Sequence, residues 1–294
     1  MTRSSRTAAW CVCLLLAPLS TEAASLKVAP ARFIVHNVTP GALYDICAET
    51  GLRLTIYNDD DAARTWVLSV HRPSDRGSWE MGYAEIPDPS WCWFDQAEVT
   101  VEPQGKEYAH LFLQVPDEER YYNQHWVVTL GIDGKPGRGG IALAADVRAQ
   151  IETKSKADAA AKPDGPLGVA PSIVRFENAV PGAAAAATVM LYNNGSVSRT
   201  YAVSRLFDDA QIEQKTYLTH GFERIPAADW LRCEQTVQIA PGGSAIVPVS
   251  LNLPADTAPA GGKWEELLLI QPQEGRAGFV RVQIETREEP KTAP

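Results

Sequence analysis

The sequence contains a long internal repeat, and no other feature constrains its fold as strongly. Val28-Ala29-Pro30 recurs as Val169-Ala170-Pro171, and a Pro-Gly pair begins ten residues after each of these prolines. Further matches follow at nearly constant spacing: Tyr57-Asn58 with Tyr192-Asn193, residues 82–87 with 221–226, Trp91 with Trp230, Trp126 with Trp264, and Ile151-Glu152-Thr153 with Ile284-Glu285-Thr286. The repeat predicts two related domains in tandem.

Within each copy, short apolar runs alternate with polar residues and are separated by turn residues. Leu52, Leu54 and Ile56 alternate in this way, and a period of two indicates a half-buried antiparallel strand. About seven such runs in roughly 120 residues are typical of an immunoglobulin-like sandwich. We therefore predict an all-β chain of two tandem immunoglobulin-like antiparallel β-sandwich domains. The predicted limits are 25–154 for the first domain, 155–166 for a linker rich in Ala, Lys, Asp, Pro and Gly, 167–288 for the second domain and 289–294 for a tail.

The first 24 residues have the pattern of a secretory signal peptide. Arg3 and Arg6 precede an apolar run over 8–19, and small residues at Ala23 and Ala24 offer a cleavage site. The run is short for a membrane span, although a membrane anchor or a buried strand is the alternative. We expect an exported protein, either periplasmic or extracellular at the cell surface.

Charge and cysteine content narrow the partners and the covalent chemistry. The formal net charge is -9, which argues against nucleic-acid binding because that needs a basic surface. Removal of the leader leaves Cys47, Cys92 and Cys233, and export permits a disulfide. Because the connections that carry Cys47 and Cys92 share one end of a seven-stranded sandwich, we predict a bond between them, with two unpaired thiols as the alternative.

The sequence carries no motif that would indicate catalysis. Its five histidines lack the spacing of a helical zinc motif, and no Gly-x-Ser-x-Gly motif is present. The glycine-rich residues 134–140 match a second glycine-rich turn at 275–278, so a hairpin turn is favoured over a phosphate loop. We predict a protein that is not an enzyme and that uses no cofactor and no metal.

The turn motifs support a family resemblance. A Pro-Gly pair before the second strand, Tyr-Asn at its end and a Pro-Gly-type turn before the fifth strand resemble the Ig-like modules of uncharacterised secreted bacterial proteins, such as the NEW3-type and Hydin-like modules. The resemblance covers residues 26–154 and 167–288. This group of modules is in turn loosely similar to the domains of periplasmic pilus chaperones. It implies the fold and little about activity, because this fold hosts many functions.

The first domain carries aromatic residues that the second domain lacks at matched positions: Trp79, Trp93, Tyr121, Tyr122 and His125. Aromatic side chains with a polar tip are common in interfaces and sugar-binding sites. We predict that these five form an interaction surface, either for the second domain or for an external protein or glycan.

These observations favour a secreted or periplasmic, non-catalytic binding or structural protein that mediates protein–protein or cell-envelope interactions. One alternative is a periplasmic assembly chaperone for surface fibre subunits, which would lend the alternating strand at 141–147 to a subunit. A third hypothesis is a glycan-binding module. None of the three involves nucleic acid or a membrane span.

Overall fold

The structure is a computed structural model that describes residues 26–77, 79–135, 143–158, 162–206, 217–233, 235–255 and 259–287. The predicted signal peptide, Ile141 of the predicted chaperone strand and the predicted tail at 289–294 lie outside these ranges. Among the described residues, no helix has the length and apolar character needed to cross a membrane.

The described part of the first domain consists of β-strands joined by short turns, two short α-helices and two 3-10 turns at Pro89–Trp91 and Glu119–Tyr121. Its strands are β1 (Lys27–Ala29), β2 (Arg32–Val38), β3 (Leu43–Asp45), β4 (Leu54–Asn58), β5 (Arg64–His71), β6 (Ala84–Glu85), β7 (Cys92–Phe94), β8 (Glu98–Val101), β9 (Gly105–Ala109), β10 (Leu111–Gln114), β11 (His125–Gly134) and β12 (Ala144–Thr153). The helices are α1 (Ile46–Thr50) and α2 (Pro73–Arg76). The long sheet has the order β2-β12-β11-β5-β8, and it faces two shorter sheets, β1-β4-β9 and β3-β10-β7.

The second domain repeats this arrangement. Its strands are β13 (Leu167–Ala170), β14 (Ile173–Ala179), β15 (Ala184–Asn193), β16 (Arg199–Arg205), β17 (Glu223–Arg224), β18 (Leu231–Arg232), β19 (Gln235–Ile239), β20 (Ser244–Asn252), β21 (Lys263–Pro272) and β22 (Gly278–Thr286). The long sheet has the order β14-β22-β21-β16-β19 and faces β13-β15-β20-β18. The predicted fold class, two tandem β-sandwich domains, is confirmed. The pairing is not wholly antiparallel, because β2 runs parallel to β12 and β14 runs parallel to β22.

Each sandwich encloses its own apolar core. Trp126, Leu130 and Ile56 are buried in the first core, and Trp230 and Tyr201 are buried in the second. Strand β11 departs from the expected alternation, since all its residues from His125 to Ile132 are buried. Part of the reason is that Val127, on the face turned away from the first core, packs against the second domain.

An inserted helix distinguishes the two domains. β15 is a continuous strand of ten residues, whereas the matching part of the first domain is divided into β3, α1 and β4. α1 begins after Asp45, whose side chain accepts a hydrogen bond from the backbone nitrogen of Ala48 (3.1 Å), and it ends at Gly51, where φ is +70°. The insertion divides one four-stranded sheet into two three-stranded sheets.

The predicted disulfide is absent, and that prediction is corrected here: Cys47 and Cys92 are not bonded to each other. Cys92 begins β7, and Cys47 follows β3, which lies on the opposite side of β10 from β7. Two inter-strand spacings amount to about 10 Å, beyond the ~7 Å over which Cα atoms can be bridged. The strand order therefore separates the two cysteines. Burial raises the pKa of the Cys92 thiol to about 12.

The connection between the domains runs from the end of β12 to the start of β13. Its described residues form neither helix nor strand. Asn123, which is buried with φ at +60°, accepts hydrogen bonds from the backbone nitrogens of Lys156 (2.8 Å) and Ser172 (2.9 Å) and donates one to the Lys156 carbonyl (2.7 Å). One side chain therefore ties the first domain to the connection and to the second domain.

Candidate functional site

The two domains share a small apolar cluster, formed by Tyr83 and Val127 of the first domain and Leu206, Leu267 and Phe279 of the second. All five side chains are buried, and burial of apolar area stabilises such contacts by about 25 cal/mol per Å². The outer faces of the two long sheets therefore pack against each other at this point.

A buried ion pair crosses the interface beside this cluster. The guanidinium of Arg281, on β22, donates from Nε and Nη2 to the two carboxylate oxygens of Glu152, on β12, each at 2.7 Å. Its Nη1 atom donates to Glu265 at 2.6 Å. The three side chains are at most 2% exposed. A two-pronged arginine–carboxylate pair has a defined geometry, so it holds the two domains in one orientation.

The Glu152 carboxylate is fully supplied with hydrogen-bond partners. It also accepts from the Tyr83 hydroxyl (2.7 Å) and contacts Nδ1 of His36 (3.1 Å). Burial alone would raise the pKa of Glu152, but the charge of Arg281 and the hydrogen bonds from His36 and Arg281 outweigh it and hold that pKa well below its usual range. Burial, followed by the Glu152 charge, raises the pKa of Tyr83. Glu152 is therefore ionised and Tyr83 neutral near pH 7.

His125 lies in the same interface. Its ring stacks on that of Phe279 with centroids 3.9 Å apart and an interplanar angle of 2°. Burial lowers the pKa of His125 to about 4, so the imidazole is neutral at pH 7. No group of the described residues forms a hydrogen bond with its Nε2 atom, although the residue is only 7% exposed.

Trp79 also reaches the second domain, where the guanidinium of Arg276 lies over its ring. The indole remains partly exposed, as expected at the rim of an interface. Trp79 and His125 therefore both contact the second domain.

Tyr121 and Tyr122 are adjacent in sequence but lie in different surroundings. Tyr121 is buried in the first core, with its ring 4.9 Å from Trp91 and 5.7 Å from Trp126. Tyr122 is half-buried, with the Lys156 ammonium 5.3 Å from its ring centroid. Tyr121 thus supports the first core, and Tyr122 contacts the connection between the domains.

Trp93 lies apart from the other four residues, on the outer face of the short sheet β3-β10-β7. It is 38% exposed and stacks on Phe112 with centroids 5.8 Å apart and an interplanar angle of 16°. The predicted set of five therefore does not form one surface. Two of its members face the second domain, one lies in a core, one contacts the connection, and Trp93 faces solvent.

Sequence reasoning missed Arg281 and Glu265. A signal for them was present in the repeat, because Glu265 matches the apolar Val127 and lies just before the apolar run at 267–270. A charged residue at such a position needs a buried partner. Arg281 matches Arg148, which pairs with Glu80 at 3.1 Å and is partly exposed. Arg281 was therefore not distinguishable from a surface arginine.

No protein-family model and no curated protein matches this sequence. Among solved structures, a protein of unknown function from Porphyromonas gingivalis is 16% identical, with 88% of this chain and 99% of that chain covered and a TM-score of 0.35. The Escherichia coli chaperone DraB is 13% identical (90% and 98% covered, TM-score 0.32), and the periplasmic chaperone SfaE is 9% identical (88% and 99% covered, TM-score 0.31). These likenesses are distant.

Proposed function

We propose that this chain is an exported, non-catalytic protein-binding protein and that the outer face around Trp93 and Phe112 contacts the partner. The observation that carries the proposal is the position of this stacked aromatic pair. Cys92 and Leu113 point into the first core, so their neighbours Trp93 and Phe112 point outward by the alternation of a strand. Exposed aromatic pairs of this kind are typical anchors of protein interfaces.

Comparison with the second domain indicates that the fold does not require this pair. Phe112 lies between Asp45 and Trp93 across the strands. At the matching register of the second domain, Ser250 lies between Ala186 and Arg232. The same sandwich therefore forms with small or polar residues at these positions, which favours a role in binding for the aromatic ones.

The surroundings favour a protein over a glycan. Leu43, on the edge strand β3, is 58% exposed, and the Asp45 carboxylate already caps α1. A glycan site needs polar side chains to bind the sugar hydroxyls, because a polar group that is left unpaired on burial is costly. An apolar face with aromatic rings is better suited to the apolar side chains of a partner protein.

Site-specific photo-crosslinking in the native host tests this proposal. A photoreactive phenylalanine analogue at position 112 should give a discrete adduct with one protein, whereas the same analogue at the matched position 250 should not. Trp93→Arg, which introduces the residue type of the second domain, should abolish the adduct while changing stability by less than about 1 kcal/mol. Equal adducts at both positions, or an adduct that survives Trp93→Arg, would overturn the proposal.

The second candidate function is assembly chaperone, and one observation favours it. Strand β2 pairs with β12 only from Arg148 onward, so among the described residues the stretch from Ala144 to Val147 has one unpaired edge that could bind an added strand. Against it, Val147 and Ala149 are buried in the core of their own domain. This function predicts that the adduct forms from position 144 instead of position 112.

A further inference from the structure

A cavity lies between the two domains and the chain that connects them. Its volume is about 350 Å³, and it is lined by residues of the first domain around Ala84 and His125, by residues 163–167, and by β22 with the turn before it. This volume is at the lower end of the range of small-molecule pockets. The cavity is separate from the Trp93 face, so it needs an explanation of its own.

The cavity wall is mostly apolar. Trp126 and Phe279 contribute aromatic surface, and Pro87, Leu167 and Val169 contribute aliphatic surface. This composition suits an apolar ligand body, because removing apolar surface from water favours binding.

Several polar groups of the wall already have partners. The Asn123 side chain bonds to the connection between the domains, and the Gln124 amide donates to the Arg120 carbonyl (2.8 Å). The Glu85 carboxylate accepts from the backbone nitrogen of Ser74 (2.7 Å). The Arg276 guanidinium lies with its face over Trp79, a contact that leaves its N–H donors available, and Asp164 also lines the cavity.

His125 differs from these residues. It lines the cavity, it is 7% exposed, and none of the described groups bonds to its Nε2 atom. A buried polar atom without a partner is costly, so a ligand that supplies a hydrogen bond would be favoured at this point. The second domain has Lys263 at the matched position, so the shared fold does not require a histidine here.

We propose that this cavity binds a small uncharged molecule with an apolar body and a single hydroxyl or amide group, which forms a hydrogen bond with Nε2 of His125. A charged ligand is disfavoured because side chains of both signs line the cavity, Glu85 and Asp164 with Arg276, so an ion of either sign would meet a like charge. Burial keeps the His125 imidazole neutral at pH 7, so it supplies no charge to pair with an anion. An ion would also have to leave water for a wall that is mainly apolar, which is costly.

Ligand titrations of the full exported chain, with its histidine rings labelled for NMR, test this proposal. The probes are phenol, toluene, which lacks the hydroxyl, and benzoate, which is charged. Phenol should shift the His125 ring signals in a saturable way and bind about ten-fold more tightly than toluene, a ratio typical of one hydrogen bond. Benzoate should bind more weakly than phenol.

The variant His125→Phe keeps an aromatic ring beside Phe279 and removes the nitrogen. It should bind toluene as the natural chain does and lose the preference for phenol, and retained toluene binding shows that the cavity is intact. His110→Phe, at an exposed residue between β9 and β10, should keep the preference. The proposal fails if phenol leaves the His125 signals unchanged, if phenol and toluene bind equally to the natural chain, if benzoate binds most tightly, or if His125→Phe loses all binding or keeps the preference.

Discussion

Two cross-strand pairs at matched positions have different roles in the two domains. His125 lies opposite Glu152 on β11 and β12, and Lys263 lies opposite Glu285 on β21 and β22. Glu152 is buried and binds Arg281 of the other domain, whereas Glu285 pairs with Lys263 at 2.9 Å and is 37% exposed. Both glutamates belong to the same Ile-Glu-Thr motif. The comparison shows that duplication preserved the strand and its register, while domain packing decided which copy became part of an interface.

The largest expected difference follows from removing each glutamate. Glu152→Ala leaves the Arg281 guanidinium buried with Glu265 and the Tyr217 carbonyl as its remaining partners, and its Nε and Nη2 atoms lose theirs, so we expect a loss of about 3 kcal/mol in the free energy of unfolding. Glu285→Ala removes a surface pair and should cost less than about 1 kcal/mol. Urea unfolding followed by tryptophan fluorescence measures both. Equal losses would mean that the buried pair does not hold the domains together.

The histidine of the first pair should make stability depend on pH. The pKa of His125 is about 4 when folded and about 6.5 when unfolded, so between these values the unfolded chain binds one more proton. Stability due to His125 is therefore present above pH 6.5 and declines as the pH falls towards 4, by about 2 kcal/mol between pH 6.5 and 4.5. The lowered pKa of Glu152 adds a loss in the same direction, but only below about pH 4.3.

Urea unfolding over this pH range tests the assignment. His125→Phe should lack the decline between pH 6.5 and 4.5, whereas His110→Phe should keep it. If both variants decline as the natural chain does, the pH dependence comes from another group.

The smallest expected difference concerns two matched glycines. Gly82 and Gly221 both have positive φ, at +79° and +86°, so alanine at either position costs about 1–2 kcal/mol of backbone strain. At position 82 an added Cβ would also lie 2.5 Å from the Phe279 ring, whereas at position 221 it would meet no atom within 4 Å. Gly82→Ala should therefore be less stable than Gly221→Ala by a further ~1 kcal/mol or more. Thermal unfolding measures this difference, and equal midpoints would show that Phe279 moves aside freely.

Much of the fold could be predicted from local patterns. The run Leu54-Thr55-Ile56 forms β4 as its alternation indicates, because a strand presents successive side chains to opposite faces. The helix inserted between β3 and β4 was not predicted, since five residues are too few to show a helical period. The parallel pairing of β2 with β12 was also missed, because a period of two is the same in both kinds of sheet.

The candidate sites were predicted less well. The absence of Trp79 and His125 from the second domain marked them correctly as residues outside the shared fold, and both contact the other domain. Tyr121 was equally unmatched and yet lies in the first core. The cores of two related domains can be filled by different side chains, so an aromatic residue found in one domain only can still be a core residue. Without the strand register, the sequence could not show whether Trp93 is exposed or, like Tyr121, buried in the core.

The sequence by itself determined the number of domains and their sandwich class, because these follow from short-range alternation and from the repeat. Tertiary structure alone decided that Glu152 is buried while Glu285 is exposed, that Arg281 is paired across the interface while Arg148 lies near the surface, and that Cys47 and Cys92 are separated by β10. The physical reason is that the burial of Glu152 and Arg281 depends on which outer faces of the two domains meet, and the separation of the cysteines depends on the strand order of one sheet. Glu152 and Glu285 have the same neighbours in sequence, yet only Glu152 is removed from water, because a surface of the other domain, distant along the chain, packs over it.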